Sequence, residues 1–172
     1  RNYLRPIHRT IISSKIITEY LFGCKLVIPR NVPKKYKFDL TTILLRNLFD
    51  TYLDNINRKK ILELGTGPFG ILAIYCYKNY ATEKVVASDI RSDLIDNCQL
   101  NVDFNDAEIN IIQSDLFENI RKDNFDVIFW NLPYYEKKKL YLIPLIDLFG
   151  LSIFINLSGK KISGSFHKFL SL

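Results

Sequence analysis

Methionine is absent from the 172 residues, tryptophan occurs once, histidine twice and cysteine three times. With no methionine anywhere and Arg1 at its start, the sequence is expected to be part of a longer reading frame. His8 and His167 are isolated, so neither a His-based catalytic constellation nor a histidine metal site is expected. Cys24, Cys76 and Cys98 are odd in number, far apart and without CxxC spacing. That argues against a disulfide scaffold and against zinc, and for reduced thiols in a cytoplasmic protein. Cys76 and Cys98 are expected on helix faces as core packing. No apolar run approaches the ~20 residues that cross a bilayer. No basic stretch followed by an apolar one opens the chain, so neither a membrane span nor secretion is expected.

What is present is a globular composition, 48% apolar and 24% charged, at a length suited to one domain. Charge is distributed unevenly. Residues 1–60 carry 13 Lys/Arg against 4 Asp/Glu, a net of +9; residues 61–131 carry 5 against 12, a net of −7; residues 132–172 carry 6 against 2, a net of +4. Basic ends around an acidic centre attract a polyanion such as RNA. The plainer reading is a lysine-rich composition that serves solubility. The clusters Lys34-Lys35-Tyr36-Lys37 and Lys137-Lys138-Lys139 divide the same way: solvated faces, or basic patches beside Tyr36, Tyr134 and Tyr135 on which bases could stack.

Residues 11–28 read as a β-hairpin around Phe22-Gly23, and 29–37, with two prolines and four basic residues, as a loop. Asp39 reads as the N-cap of a helix over 40–53 whose stripe is Leu44, Leu45, Leu48, Phe49 and Tyr52. Alternation then sets in: strands at 61–64, 84–88, 109–113 and 125–130, helices at 69–80 and 92–105. Strands separated by helical patterns imply a Rossmann-like, doubly wound α/β domain with a mainly parallel sheet. The expected division is an N-terminal hairpin and basic loop over 1–38, followed by a cofactor-binding domain over 39–172.

In such sheets ligands bind beyond the carboxyl ends of the strands. The first parallel strand ends in Gly65-Thr66-Gly67-Pro68-Phe69-Gly70, a GxGxxG in strand–turn–helix context that serves NAD, FAD and S-adenosylmethionine alike, or a turn alone. The second ends in Ser88-Asp89-Ile90, where a carboxylate can accept from ribose hydroxyls; a helix-capping role for Asp89 or Ser92 is compatible with that. The third runs into Gln113-Ser114-Asp115-Leu116, which brings a second acid to the same edge, toward an adenine amino group or simply in a turn. Glu63 separates the cofactors. An anion at the turn motif repels a pyrophosphate but suits a sulfonium and an ammonium, which favours S-adenosylmethionine over NAD.

The fourth strand ends in Asn131-Leu132-Pro133-Tyr134. With Leu26-Val27-Ile28-Pro29-Arg30, Leu62-Glu63-Leu64-Gly65-Thr66-Gly67 and Asn110-Ile111-Ile112-Gln113-Ser114-Asp115-Leu116-Phe117, it resembles the class I S-adenosylmethionine-dependent methyltransferases with an (N/D)PPY-type motif, and among them the HemK/PrmC glutamine methyltransferases. The resemblance covers residues 26–135 and implies an N-methyltransferase acting on a planar NH₂. By resemblance, the Asn131 oxygen and the Leu132 carbonyl grip that NH₂, Pro133 fixes the backbone and Tyr134 offers a stacking face. Glu63, Gly65, Thr66, Gly67, Gly70, Asp89, Ile90, Ser114, Asp115, Leu116 and Asn131 would bind the cofactor, with no metal. The acceptor would be a glutamine of a translation factor such as a release factor, or an adenine in RNA or DNA.

The sequence departs from that pattern in three places. Leu132 replaces the first proline, as in the rRNA adenine dimethyltransferases, which keeps adenine open. The acid and threonine that HemK-like enzymes place just after Pro-Arg correspond loosely to Asp39-Leu40-Thr41-Thr42, after an insertion. Only 38 residues follow Tyr134. A helix over 140–151 and a fifth strand over 152–157 are expected there, with the closing hairpin missing and a sheet edge left open. The alternative to an enzyme is a non-catalytic methyltransferase-fold subunit that binds RNA or a partner protein, and a dinucleotide oxidoreductase comes third.

Overall fold

A computed structural model of the chain describes residues 16–29, 40–52, 59–80, 82–120, 125–131 and 151–155. The strands are β1 (Ile16–Leu21), β2 (Cys24–Pro29), β3 (Lys59–Leu64), β4 (Thr82–Asp89), β5 (Ile109–Gln113), β6 (Val127–Asn131) and β7 (Leu151–Ile155). The helices are α1 (Leu40–Tyr52), α2 (Ile71–Asn79) and α3 (Ser92–Phe104). Five strands form one sheet in the order β5-β4-β3-β6-β7, parallel from β5 to β6. The expected α/β fold is what forms, and strand order reverses at β3, so the crevice between the carboxyl ends of β3 and β6 is the switch point.

Alternation along β3 sorts the sheet's two faces. Ile61, with Val85, Val127 and Phe129, joins the larger cluster, which takes in Leu45 and Phe49 of α1, residues 71–76 of α2 and Val102 of α3. Leu62 and Leu64, with Val86 and Ile128, face the other way, onto Phe117, Ile120 and Phe125. Among the described residues all three helices therefore cover one face. Phe49 packs edge-to-face on Phe129 at 4.8 Å, and Asp50 accepts from Tyr75 (2.5 Å) and Tyr80 (2.7 Å), which ties α1 to both β6 and α2.

The hairpin forms around Phe22-Gly23 as expected, with both turn residues at positive φ (53° and 74°) and Leu21 opposite Cys24. A phenylalanine in that conformation costs about 1–2 kcal/mol, and tertiary packing offsets it: the Phe22 ring stacks edge-on against Tyr75 and lies under the Arg46 guanidinium. The outer edge of β2 is paired by side chains. Asn101 Oδ1 accepts from Val27 N (2.7 Å) and its Nδ2 donates to Val27 O (3.2 Å); Asn105 does the same for Lys25 (3.0 and 2.7 Å). Residues four apart on a helix rise ~6 Å, close to the ~6.8 Å between alternate residues of a strand. α3 thus acts as a surrogate strand. Asn101→Leu would leave the buried Val27 N–H and C=O unpaired and is expected to cost about 2–4 kcal/mol; urea midpoints check this, and a loss under about 1 kcal/mol would contradict the pairing.

Three details differ from expectation. α2 starts at Ile71 rather than at 69, because Gly70 sits at its N-cap with φ 59° and residues 68–70 belong to the turn. β7 begins at Leu151, within the span expected to be helical, and runs antiparallel to β6, with Leu151 opposite Asn131. Residues 11–15, the loop beyond Pro29, Asp39, Leu132, Pro133, Tyr134, both lysine clusters, both histidines and most of the expected helix over 140–151 lie outside the described residues.

Candidate active site

The GxGxxG turn is held from beneath by its own strand and by the next one. Thr66 N donates to Ser88 O (2.9 Å), the Thr66 hydroxyl to Glu63 Oε2 (2.8 Å), and Gly67 N to Asp89 Oδ2 (2.9 Å). Glu63 Oε2 also accepts from Ala73 N (3.2 Å) in the first turn of α2. Gly70 is required by contact as well as by φ, since a Cβ there would meet Cys98 Sγ at 2.7 Å. Burial pushes the Glu63 carboxyl up to about 8; the two donors oppose this and the charge of Asp89 adds to it. The sequence placed Glu63 at the edge of a pocket. It is instead 4% exposed, and its carboxylate joins the turn to α2.

Asp89 closes β4 with both oxygens engaged: Oδ2 with Gly67, Oδ1 with Arg91 N at 3.0 Å. The N-cap of α3 is Arg91, without a side-chain cap hydrogen bond, so neither Asp89 nor Ser92 takes the capping role; Asp89 instead closes a tight turn onto Arg91 N ahead of the helix. A carboxylate offers about four acceptor sites, so two contacts do not exhaust it. Ile90, next in sequence, is 57% exposed. Ser114 N donates to Asp89 O (2.9 Å), which joins the third strand end to the second. The Ser114 hydroxyl is spent internally: it donates to Leu116 O (2.9 Å) and accepts from Asn119 N (3.0 Å). Asp115 projects from that turn, exposed, and Leu116 follows at φ 44°.

Leu64 pairs with Trp130, so Gly65 and Asn131 extend side by side from the two strands at the switch point. The Trp130 indole lies against Gly65, where a Cβ would come within 2.8 Å of Nε1. Asn131 is held by α1: its Oδ1 accepts from the Thr41 hydroxyl (2.7 Å) and its Nδ2 donates to Thr42 Oγ1 (3.3 Å). Sequence reasoning assigned no role to Trp130, Thr41 or Thr42. The loose Asp39-Leu40-Thr41-Thr42 correspondence was the one signal for the threonines. The three cysteines are free and buried, and burial raises the thiol pKa of each, which removes them as nucleophiles.

Comparison with known proteins identifies the family. The chain is 38% identical over 92 residues to a Methanocaldococcus jannaschii protein named as an N5-glutamine methyltransferase, covering 54% of this chain and 43% of that one. It is 30% identical over 104 residues to a ribosomal protein uL3 glutamine methyltransferase of Francisella tularensis (59% and 33% covered), and 29% identical over 113 residues to a release factor glutamine methyltransferase of Haemophilus influenzae (59% and 38%). The chain thus spans between 33% and 43% of the length of these relatives. A T. thermophilus 16S rRNA N2 methyltransferase, solved with AdoMet and guanosine, shares the fold at TM-score 0.57 and 22% identity, over 70% of this chain and 33% of that one. Residues 24–146 match the methyltransferase small domain model, and the chain belongs to that family of S-adenosylmethionine-dependent methyltransferases.

Proposed function

We propose that the chain transfers a methyl group from S-adenosylmethionine to the side-chain nitrogen of a glutamine in a protein of the translation machinery. The observation that carries this reading is the juxtaposition at the switch point: a glycine turn braced by Asp89 on one strand, and beside it, on the next, a buttressed Asn131. The donor set suits the cofactor. Asp89 keeps acceptor capacity for ribose hydroxyls, and the position of a Cβ on Gly67 has nothing within 4 Å, which leaves the turn's outer side open to a ligand. The exposed Ile90 supplies an apolar surface for adenine, Asp115 an acceptor for its amino group, and Ser114 and Leu116 the turn that carries Asp115. When bound, S-adenosylmethionine supplies a methyl group on a positively charged sulfur, which suits a segment of net charge −7.

An amide nitrogen is a poor nucleophile because its lone pair is delocalised. Acceptors on its two hydrogens orient it and stabilise the positive charge that develops there, so catalysis is positioning and electrostatics. Asn131 Oδ1 takes one hydrogen; the Leu132 carbonyl, Pro133 and Tyr134 complete the grip as the sequence resemblance implies. Glutamine is favoured over adenine by the glutamine methyltransferases among the relatives. Such an acceptor places the work in the cytoplasm.

The first test is calorimetric titration with S-adenosylhomocysteine. Asp89→Ala removes a charged hydrogen-bond partner and should weaken binding about tenfold to a hundredfold. Trp130, the single tryptophan, gives a fluorescence readout beside Gly65. Labelled S-adenosylmethionine is then offered with release factor, ribosomal proteins and rRNA. Label in the rRNA alone would replace glutamine by a base as acceptor. Cofactor binding with nothing labelled would leave a binding subunit. A folded chain that ignores S-adenosylhomocysteine would end the cofactor reading.

A further inference from the structure

Asn131 can grip an acceptor amide only if its own carboxamide presents oxygen, not nitrogen, to the reacting group. An asparagine at a strand end rotates about χ2 between two nearly isosteric states with opposite hydrogen-bonding sense. Here α1 supplies a donor and an acceptor at the two ends of that carboxamide. The Thr41 hydroxyl donates to Oδ1 at 2.7 Å, and Nδ2 donates to Thr42 Oγ1 at 3.3 Å. Both threonines are buried, at 0% and 5% exposure, and β-branching limits the rotamers that could carry their hydroxyls away. The helix that bears them is fixed to the same strand by Phe49 on Phe129. Consecutive residues at the start of one helix thus hold one amide group by both ends.

We propose that Thr41 and Thr42 are positioning residues for methyl transfer, setting the plane and the oxygen–nitrogen sense of the Asn131 carboxamide. The inference rests on the reading of Asn131 as an acceptor-gripping residue. A carbonyl oxygen accepts two hydrogen bonds. Thr41 occupies one lone pair of Oδ1 and leaves the other for the acceptor's N–H. Donation from Nδ2 to Thr42 draws amide electron density toward Oδ1, so the same contact that blocks a flip strengthens the oxygen as an acceptor.

The test combines kinetics with one direct observation. Thr41→Val and Thr42→Val, which keep the side-chain shape, should lower kcat with the acceptor that wild-type protein methylates by about tenfold to a hundredfold, the usual effect of small misplacement. KM for S-adenosylmethionine should stay within about twofold, and Thr41→Ser, which keeps the hydroxyl, should recover most of the rate. In the wild-type chain, the Asn131 side-chain ¹⁵NH₂ pair, assigned by its loss in Asn131→Ser, should exchange with solvent more slowly than that of the exposed Asn110. Exchange as fast as that of Asn110 overturns the clamp even if a valine variant fails to fold. Wild-type kcat in both valine variants, with Asn131→Ala inactive, overturns the positioning role alone. Full activity in Asn131→Ala removes the reading of the site itself.

Discussion

Asn131→Ala should lower kcat by about 10²–10³-fold and leave affinity for S-adenosylhomocysteine within about threefold of wild type. The split follows from where the residue stands. The glycine turn, Glu63 and Asp89 are bonded to one another, to α2 and to the residue that precedes α3. Asn131 closes β6 and bonds instead to α1. Truncating it removes an acceptor aimed at charge that develops only in the transition state, which appears in kcat rather than in ground-state binding. Asn131→Asp keeps an acceptor oxygen to which both threonine hydroxyls can donate, so it should retain more activity than alanine. Single-turnover rates at saturating cofactor, with calorimetry on the same variants, separate the two quantities. Equal losses in binding and rate would mean that Asn131 belongs to the cofactor pocket instead.

The framework of this fold was legible because it is written in periodicity. The switch from paired β-rich runs to strand–helix alternation after residue 60 marks the parallel sheet, and the breaks at Gly65, Asp89 and Gln113 mark its functional edge. Turn chemistry misled by two residues at α2, since Phe69 continues the apolar pattern although Gly70 must adopt a left-handed conformation before the helix can begin. The antiparallel course of β7 was not legible, because an apolar run such as residues 151–155 carries no information about direction. Side-chain amides that pair a strand edge look, in sequence, like any polar residues on a helix, and Asn101 and Asn105 gave no warning that they hold the hairpin. The candidate site is proposed on acids and glycines that the sequence singles out, while the residues that support it carried no comparable signal. Thr41 and Thr42 lie about ninety positions from the residue they hold, a contact that only the packing of α1 against β6 creates. Glu63 was recognised as important, but the strand end said nothing of its depth: its carboxyl, pushed up to about 8 by burial, lies in the core beneath the turn.

That depth has a measurable consequence in the pH dependence of stability. Glu63 has an ordinary value of 4.5 when exposed and about 8 when folded, because burial disfavours its charged form. Between those values the folded chain holds a proton that the unfolded chain has lost, so stability falls as pH rises through the interval. The contribution is fully present below pH 4.5 and gone above pH 8. Its ceiling is on the order of 5 kcal/mol, at about 1.4 kcal/mol per pH unit. Cys76 and Cys98, which share this region of the core, have thiols pushed upward by burial and by the Glu63 charge, and they stay protonated across the window. Glu63→Gln keeps the volume and an oxygen for Thr66 and Ala73 but cannot ionise, so its stability should decline less steeply from pH 5 to 9 and exceed that of wild type at the alkaline end. Urea midpoints across that range decide it, and parallel curves for the two proteins would show that Glu63 does not titrate there. If a cation binds above the turn, it stabilises the ionised carboxylate and must release a proton on arrival. Calorimetric enthalpies for S-adenosylmethionine should then depend on the ionisation enthalpy of the buffer at pH 7 in wild type and lose that dependence in Glu63→Gln. A buried acid that costs the fold stability at neutral pH is thereby coupled to the charge of the ligand the fold is built to hold.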